Sequence, residues 1–254
     1  MKFLTFLAAA MLTALIPASS AEHDARIYSL SSVAAEPGKL NELHAAIRDR
    51  LIPQAAKLGV TVLGVFTPLE NSDGRVFYLA TCTSREALDK AKQAAANDPA
   101  FAETDGILED LGDSGKTLPD RLMQTTDFSP VDAPAAGKGP RVFELRTYTT
   151  TQGKLPLLQE RFRDHTLALF AKHRMTNLWY WQLEKDQAGA DKTMIYMLAH
   201  ASVDTAKASF DAFRADPAWV TAKRASEEKG GGSLTVPNGV KSVFLKATDY
   251  SPLK

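Results

Sequence analysis

The amino-acid sequence predicts an α+β fold built from two tandem ferredoxin-like units, each ordered βαββαβ, packed sheet to sheet. Three observations predict it. Residues 26–40, RIYSLSSVAAEPGKL, align without a gap on residues 141–155, RVFELRTYTTTQGKL, at an offset of 115. Later matches, NDPAF at 97–101 with ADPAW at 215–219 and DFSP at 127–130 with DYSP at 249–252, extend the repeat through both halves. Finally, one sheet face in each copy carries large apolar residues such as Trp179 and Trp181, which need a partner to cover them.

The second copy shows the order most clearly. Val142 to Thr149 alternates with period two, as a strand does, and Gln152-Gly153 marks a turn. Leu155, Leu158, Phe162, Thr166 and Leu169 then recur at spacings of three and four, predicting a helix to His173. Leu178 to Glu184 and Thr193 to Ala201 read as strands joined through KDQAGADK. A second helix from Val203 carries Ala206, Phe210 and Phe213 on one stripe and is disturbed at Asp216-Pro217. After KGGGSLTVPNG, the strand Val240 to Thr248 closes the unit.

Residues 1–21, MKFLTFLAAAMLTALIPASSA, have a basic start, a short apolar run and the small residues Ser19 and Ala21 near a cleavage point. That pattern predicts a signal peptide and a periplasmic or secreted product. Residues 22–130 form the expected first domain, 131–140 (VDAPAAGKGP) a Pro- and Gly-containing linker, and 141–254 the second domain. No later apolar run reaches the length of a membrane span, so no membrane insertion is expected. Thirty Lys and Arg balance thirty Asp and Glu, which removes the basic field of a nucleic-acid binder. Cys82 is the one cysteine, ruling out an internal disulfide or thiolate metal cluster, and its apolar surroundings read as a buried thiol.

The stretch FELRTYTTTQGKLPLLQERFRDHTLALFAKH (143–173), with LWYWQ (178–182) and FRADPAW (213–219), resembles the NIPSNAP family. The resemblance implies the dimeric α/β-barrel fold, here intramolecular, so the chain is expected as a monomeric pseudo-dimer or a homo-oligomer. Carried over, the recurring family residues are Glu144, Arg146, Tyr148, Gly153, Phe162, His165, His173, Asp216, Pro217 and Trp219. The first copy has Ser29, Ser31, Val33 and Arg50 where Glu144, Arg146, Tyr148 and His165 stand, so any site is expected in the second half alone. No enzymatic activity comes with the family. Other families of the fold include cofactor-free monooxygenases, haem-degrading enzymes and chlorite dismutases.

The opening strand of the second copy carries the chemistry. With period two, Phe143 and Leu145 are expected to face the helices, and Glu144, Arg146 and Tyr148 to face the barrel interior. Glu144 and Arg146 then form either a structural ion pair or a clasp in which Arg146 holds a ligand carboxylate or enolate and Glu144 orients it. His165, at the edge of its helix stripe, reads either as a packing residue or as an acid/base catalyst. Trp179 and Trp181, on one strand face, fill the core or wall a ligand pocket. His173, at its helix end, and Asp216-Pro217 read as structural.

His165 and His173 lie about 12 Å apart along a helix, too far to share one metal ion, and no zinc motif occurs. No metal and no cofactor are therefore predicted. The leading expectation is a small-molecule binder or cofactor-independent oxygenase- or isomerase-type enzyme. Its site is expected between sheet and helices of the second half, with Arg146, Trp181, Tyr148 and His165 taking part. The alternatives are a non-catalytic interaction module of the cell envelope, with no enclosed pocket, and a haem-binding protein using His165, His173 or His200 as axial ligand.

Overall fold

A computed structural model describes residues 25–130 and 141–254. The expected signal peptide, 1–21, and linker, 131–140, lie outside the described residues. Eight strands form one closed antiparallel barrel: β1 Ile27–Ala34, β2 Thr61–Pro68, β3 Arg75–Cys82, β4 Leu118–Thr125, β5 Val142–Thr150, β6 Thr176–Leu183, β7 Thr193–His200 and β8 Thr235–Ala247. Around the barrel they run β1-β3-β2-β8-β5-β7-β6-β4. The chain is thus an α+β fold with an eight-stranded antiparallel barrel.

The two halves meet edge to edge as well as across the interior. On one seam Phe66, Thr67 and Pro68 of β2 pair with Ala247, Lys246 and Leu245 of β8. On the other, Met123, Gln124 and Thr125 of β4 pair with Leu183, Gln182 and Trp181 of β6. These two seams close the barrel expected within one chain. Pairing at both seams leaves no open sheet edge, which satisfies the backbone groups that an edge strand would expose.

Inside the barrel, apolar side chains from both halves interlock: Tyr28, Phe66, Leu79 and Met123 from the first, Phe143, Trp179, Trp181 and Met197 from the second. Phe66 and Phe143 cross the seam edge to face, with ring centres 5.0 Å apart. One end of the barrel is closed by the C-terminal segment, where the Leu253 amide donates to the Leu63 carbonyl at 3.1 Å and the leucine side chain packs on the interior. Cys82 is buried, and burial raises its thiol pKa, as suits a packing residue.

The helices cover the outer face. In the first half they are α1 Leu40–Ala46, α2 Ile52–Lys57, α3 Arg85–Ala96 and α4 Pro99–Leu111. In the second they are α5 Leu155–Arg161, α6 Leu167–Lys172, α7 Val203–Ala215 and α8 Pro217–Lys229. The single helix expected over 155–173 is interrupted by a π-turn, Phe162–Thr166, and its counterpart by Ile47–Leu51.

The disturbance expected at Asp216-Pro217 is a full break that starts α8. Pro217 occupies the first turn, where its missing N–H costs nothing, and the Asp216 carboxylate accepts from the Ala218 amide at 2.9 Å. Asp98 and Pro99 do the same for α4. The last strand begins at Thr235 rather than Val240, because the TVPNG segment joins the ladder across a register shift opposite Tyr148 and Thr150.

Candidate functional site: a cationic cavity on the outer face of the second half

The charged face of β5 points away from the barrel interior, the reverse of the expectation. Phe143 and Leu145 enter the interior cluster, whereas Tyr148 packs on the outer cluster beneath the helices. Alternation separates two faces without naming them, and both faces of this sheet are covered. The interior is filled by large apolar side chains from both halves, so a carboxylate there would lose its hydration without finding partners. On the outer face the partners exist.

Glu144 is 1% exposed. One carboxylate oxygen accepts from Arg146 Nη1 at 2.5 Å and from the Ser242 hydroxyl at 2.5 Å, and the other meets His200 Nε2 at 2.9 Å. The register explains the convergence, since Ser242 lies directly across from Arg146 on β8 and His200 ends the neighbouring strand β7. Burial alone pushes the Glu144 carboxyl upward, but the His200 contact, the Arg146 charge and the Ser242 hydrogen bond hold it below the ordinary range.

Burial likewise opposes the charge on Arg146, yet Tyr196, Tyr148 and Glu144 more than offset it, and its pKa lies above the usual arginine value. The guanidinium sits 4.5 Å above the Phe210 ring, and its Nε has no hydrogen-bond partner.

A second guanidinium lines the same space. Arg161, the last residue of α5, is 6% exposed, lies 5.1 Å over the Trp219 ring, and donates from Nη1 to the Ser226 hydroxyl at 3.3 Å. Among the described residues it forms no ion pair and its Nε has no partner. Burial lowers its pKa, and the opposing pull of Tyr148 and Glu227 does not restore it. The π-turn that follows gives the Arg161 carbonyl an acceptor role of its own, met by the buried Thr166 hydroxyl at 3.1 Å.

Arg146 and Arg161 line a cavity of about 930 Å³ between β5, β8, α7 and α8. Its walls are Tyr148, Phe210, Phe213 and Trp219, and its rim holds Arg214, Lys223 and Arg224 beside Glu227 and Glu228. Gly231 and Gly232, with φ of 69° and 130°, let the loop after α8 turn across one side, a backbone path that a side chain would strain. The size is typical of small-molecule sites, and the charge is weighted toward cations.

Of the residues singled out in the sequence, Arg146 and Tyr148 line this cavity, and Glu144 lies buried behind them, bonded to Arg146 but not part of the lining. Trp179 and Trp181 lie on the opposite face of the sheet, stacked 5.7 Å apart in the barrel interior, so they cannot wall this cavity. His165 is exposed on the π-turn and lines a separate cleft of about 110 Å³ with Glu160, Asp164 and Ala222. His173 and Lys172 both hold Asp216, at 2.8 and 2.7 Å, and together with the Ala218 amide keep that carboxyl well below its usual range.

Arg161, Phe210 and Ser242 join the site without being legible as site residues in the sequence. Arg161 has a signal, a cation three residues beyond Leu158 beside an apolar stripe, but Ser242 has none. Among the described residues the cavity lining contains no histidine and no group of three or more potential metal ligands occurs. The matching face of the first half has Ser29 and Ser31 in place of the ion pair and leaves only about 180 Å³. There Tyr78 is pushed up to about 12 by burial.

Comparison with known proteins follows the same division of the chain. Residues 143–252 match the NIPSNAP family model. No curated protein matches the sequence. A protein from Fusobacterium nucleatum, provisionally named a monooxygenase, superposes over 88% of this chain and 92% of its own, with a TM-score of 0.60 and 9% identity. An anthrone oxidase-like protein covers 91% of this chain and 95% of its own, with a TM-score of 0.55 and 14% identity. A NIPSNAP family protein from Agrobacterium tumefaciens is 23% identical over 42% of this chain and 98% of its own, with a TM-score of 0.37. The first two likenesses establish the barrel fold across both halves. Within that fold, the second half of the chain, over residues 143–252, is a NIPSNAP domain.

Proposed function

We propose that the second half binds a small anionic molecule with a flat apolar body in the cavity between β5, β8, α7 and α8. The observation that carries the reading is Arg161: a buried cation without an ion-pair partner among the described residues, lining the same space as Arg146. A buried charge normally comes with a compensating group, and a bound anion supplies one. Trp219, Phe210 and Tyr148 offer faces for a ring.

The same two cations would favour an enolate or phenolate over its neutral form, the feature an oxygenase- or isomerase-type reaction without a cofactor needs. The nearest carboxylates at the rim are Glu227 and Glu228, so in this reading a rim glutamate, rather than His165, takes a substrate proton. The monooxygenase-like neighbours support enzyme-type use of the fold only at the level of architecture.

In this reading the halves are two copies of one ferredoxin-like unit, supported by the repeat and by matching strand orders, β2-β3-β1-β4 and β6-β7-β5-β8. The product is exported after loss of residues 1–21, supported by the composition of that segment.

Native mass spectrometry of freshly purified protein should reveal a co-purified anion, released on denaturation. Arg161→Leu and Arg146→Met should each weaken its rebinding at least tenfold by calorimetry. Unchanged affinity in both variants defeats the reading.

A further inference from the structure

The two ends of the barrel are finished differently. Leu253 packs into one, whereas at the other the interior opens into a cavity of about 570 Å³ whose floor is Leu30, Phe77, Leu145 and Val243. Registers slip at this end, between Leu30 and Ser32 of β1 against β4 and between Tyr148 and Thr150 of β5 against β8. Such bulges are a common device at barrel rims. Leu118, 49% exposed, forms an apolar lip.

Above that floor the lining turns polar and then cationic. Thr147 and Thr149 of β5 line the throat, and Arg121, Lys192 and Lys241 stand at the rim. Among the described residues none of these three cations makes an ion pair, and no acidic side chain lines the cavity. The chain as a whole is electrically balanced, so three such cations round one apolar opening are a local excess.

We propose that this open end is a second ligand site, separate from the cavity at Arg146, and that it takes a single-chain anionic amphiphile such as a medium-chain fatty acid. The hydrocarbon chain enters toward Leu145 and Phe77, and the carboxylate stays at the rim among Arg121, Lys192 and Lys241. The arrangement matches the ligand from end to end: apolar floor, hydroxyl-lined throat, cationic lip. Because Leu145 and Arg146 point to opposite faces of β5, the two sites lie back to back and are lined by different side chains.

The test is calorimetric titration of the full chain with octanoate, decanoate and dodecanoate below their micelle concentrations, with decyltrimethylammonium as the oppositely charged control. Affinity should rise about fourfold per added methylene, the increment expected for burying that group. The cationic amphiphile should bind at least tenfold more weakly than decanoate. The double variant Lys192→Glu, Lys241→Glu, both positions exposed, should lose at least tenfold for decanoate while near-UV circular dichroism stays unchanged. Arg146→Met should leave decanoate affinity as it was. No saturable binding, equal binding of the cationic amphiphile, or loss in Arg146→Met without loss in the double variant would each overturn the proposal. So would adsorption to phosphatidylglycerol vesicles without decanoate binding, since the cations would then serve as a surface patch.

Discussion

Glu144 joins two strands and an arginine through one buried carboxylate, so its removal exposes the cost of the whole network. Glu144→Gln strands Arg146 in a buried position, and denaturant unfolding at pH 7 should show a loss of about 3–5 kcal/mol. The sign with pH follows from the lowered carboxyl pKa. Its stabilisation is complete above the unfolded value, near 4.5, and is lost as pH falls through the lower folded value. The difference between wild type and Glu144→Gln should therefore shrink on acidification below pH 4.5, and a constant difference counts against the ionised pair. At this scale the sequence displays the pairing of Glu144 with Arg146 through their spacing. His200 and Ser242 are hidden, because they reach Glu144 only through strands that are 56 and 98 residues away in sequence.

Among the elements, the interrupted helix of the second half bears most directly on the site. Thr166 is fully buried and its hydroxyl donates to the Arg161 carbonyl, so Thr166→Val keeps the shape and removes that tie across the π-turn. The expected cost is about 1 kcal/mol, together with weaker anion binding through Arg161, read by thermal unfolding and calorimetry on one preparation. A change in neither would show that the turn does not position the arginine. Helix starts are more legible. Ser202 caps α7 by accepting from the Thr205 amide at 3.1 Å, and Ser202→Ala should cost about 1 kcal/mol without touching ligand affinity. The periodicity of Leu155, Leu158, Phe162 and Leu169 reads as one helix because a π-turn adds a residue without breaking the apolar stripe.

For the whole molecule, the barrel is one cooperative object whose interior draws on both halves. Phe143→Ala removes a ring packed on Phe66 across the seam and should lower stability by about 3–5 kcal/mol, with tryptophan fluorescence and far-UV dichroism still unfolding together. Separate transitions for the two halves would refute this unity. A fragment of residues 141–254 would expose Trp179, Trp181 and the edges of β6 and β8, and sedimentation should find it as a dimer or larger assembly. The sequence by itself determined the repeat, the order of the strands, the helix interruption at Asp-Pro and the confinement of the ion pair to one half, because each is written in local spacing or in comparison of the two copies. Only the tertiary structure decided that Glu144 and Arg146 turn outward, that the tryptophans they were grouped with turn inward, and that Arg161 shares the cavity. Alternation along a strand assigns residues to two faces, but which face meets the dry barrel and which meets the helices depends on closure of the sheet, a contact between distant segments.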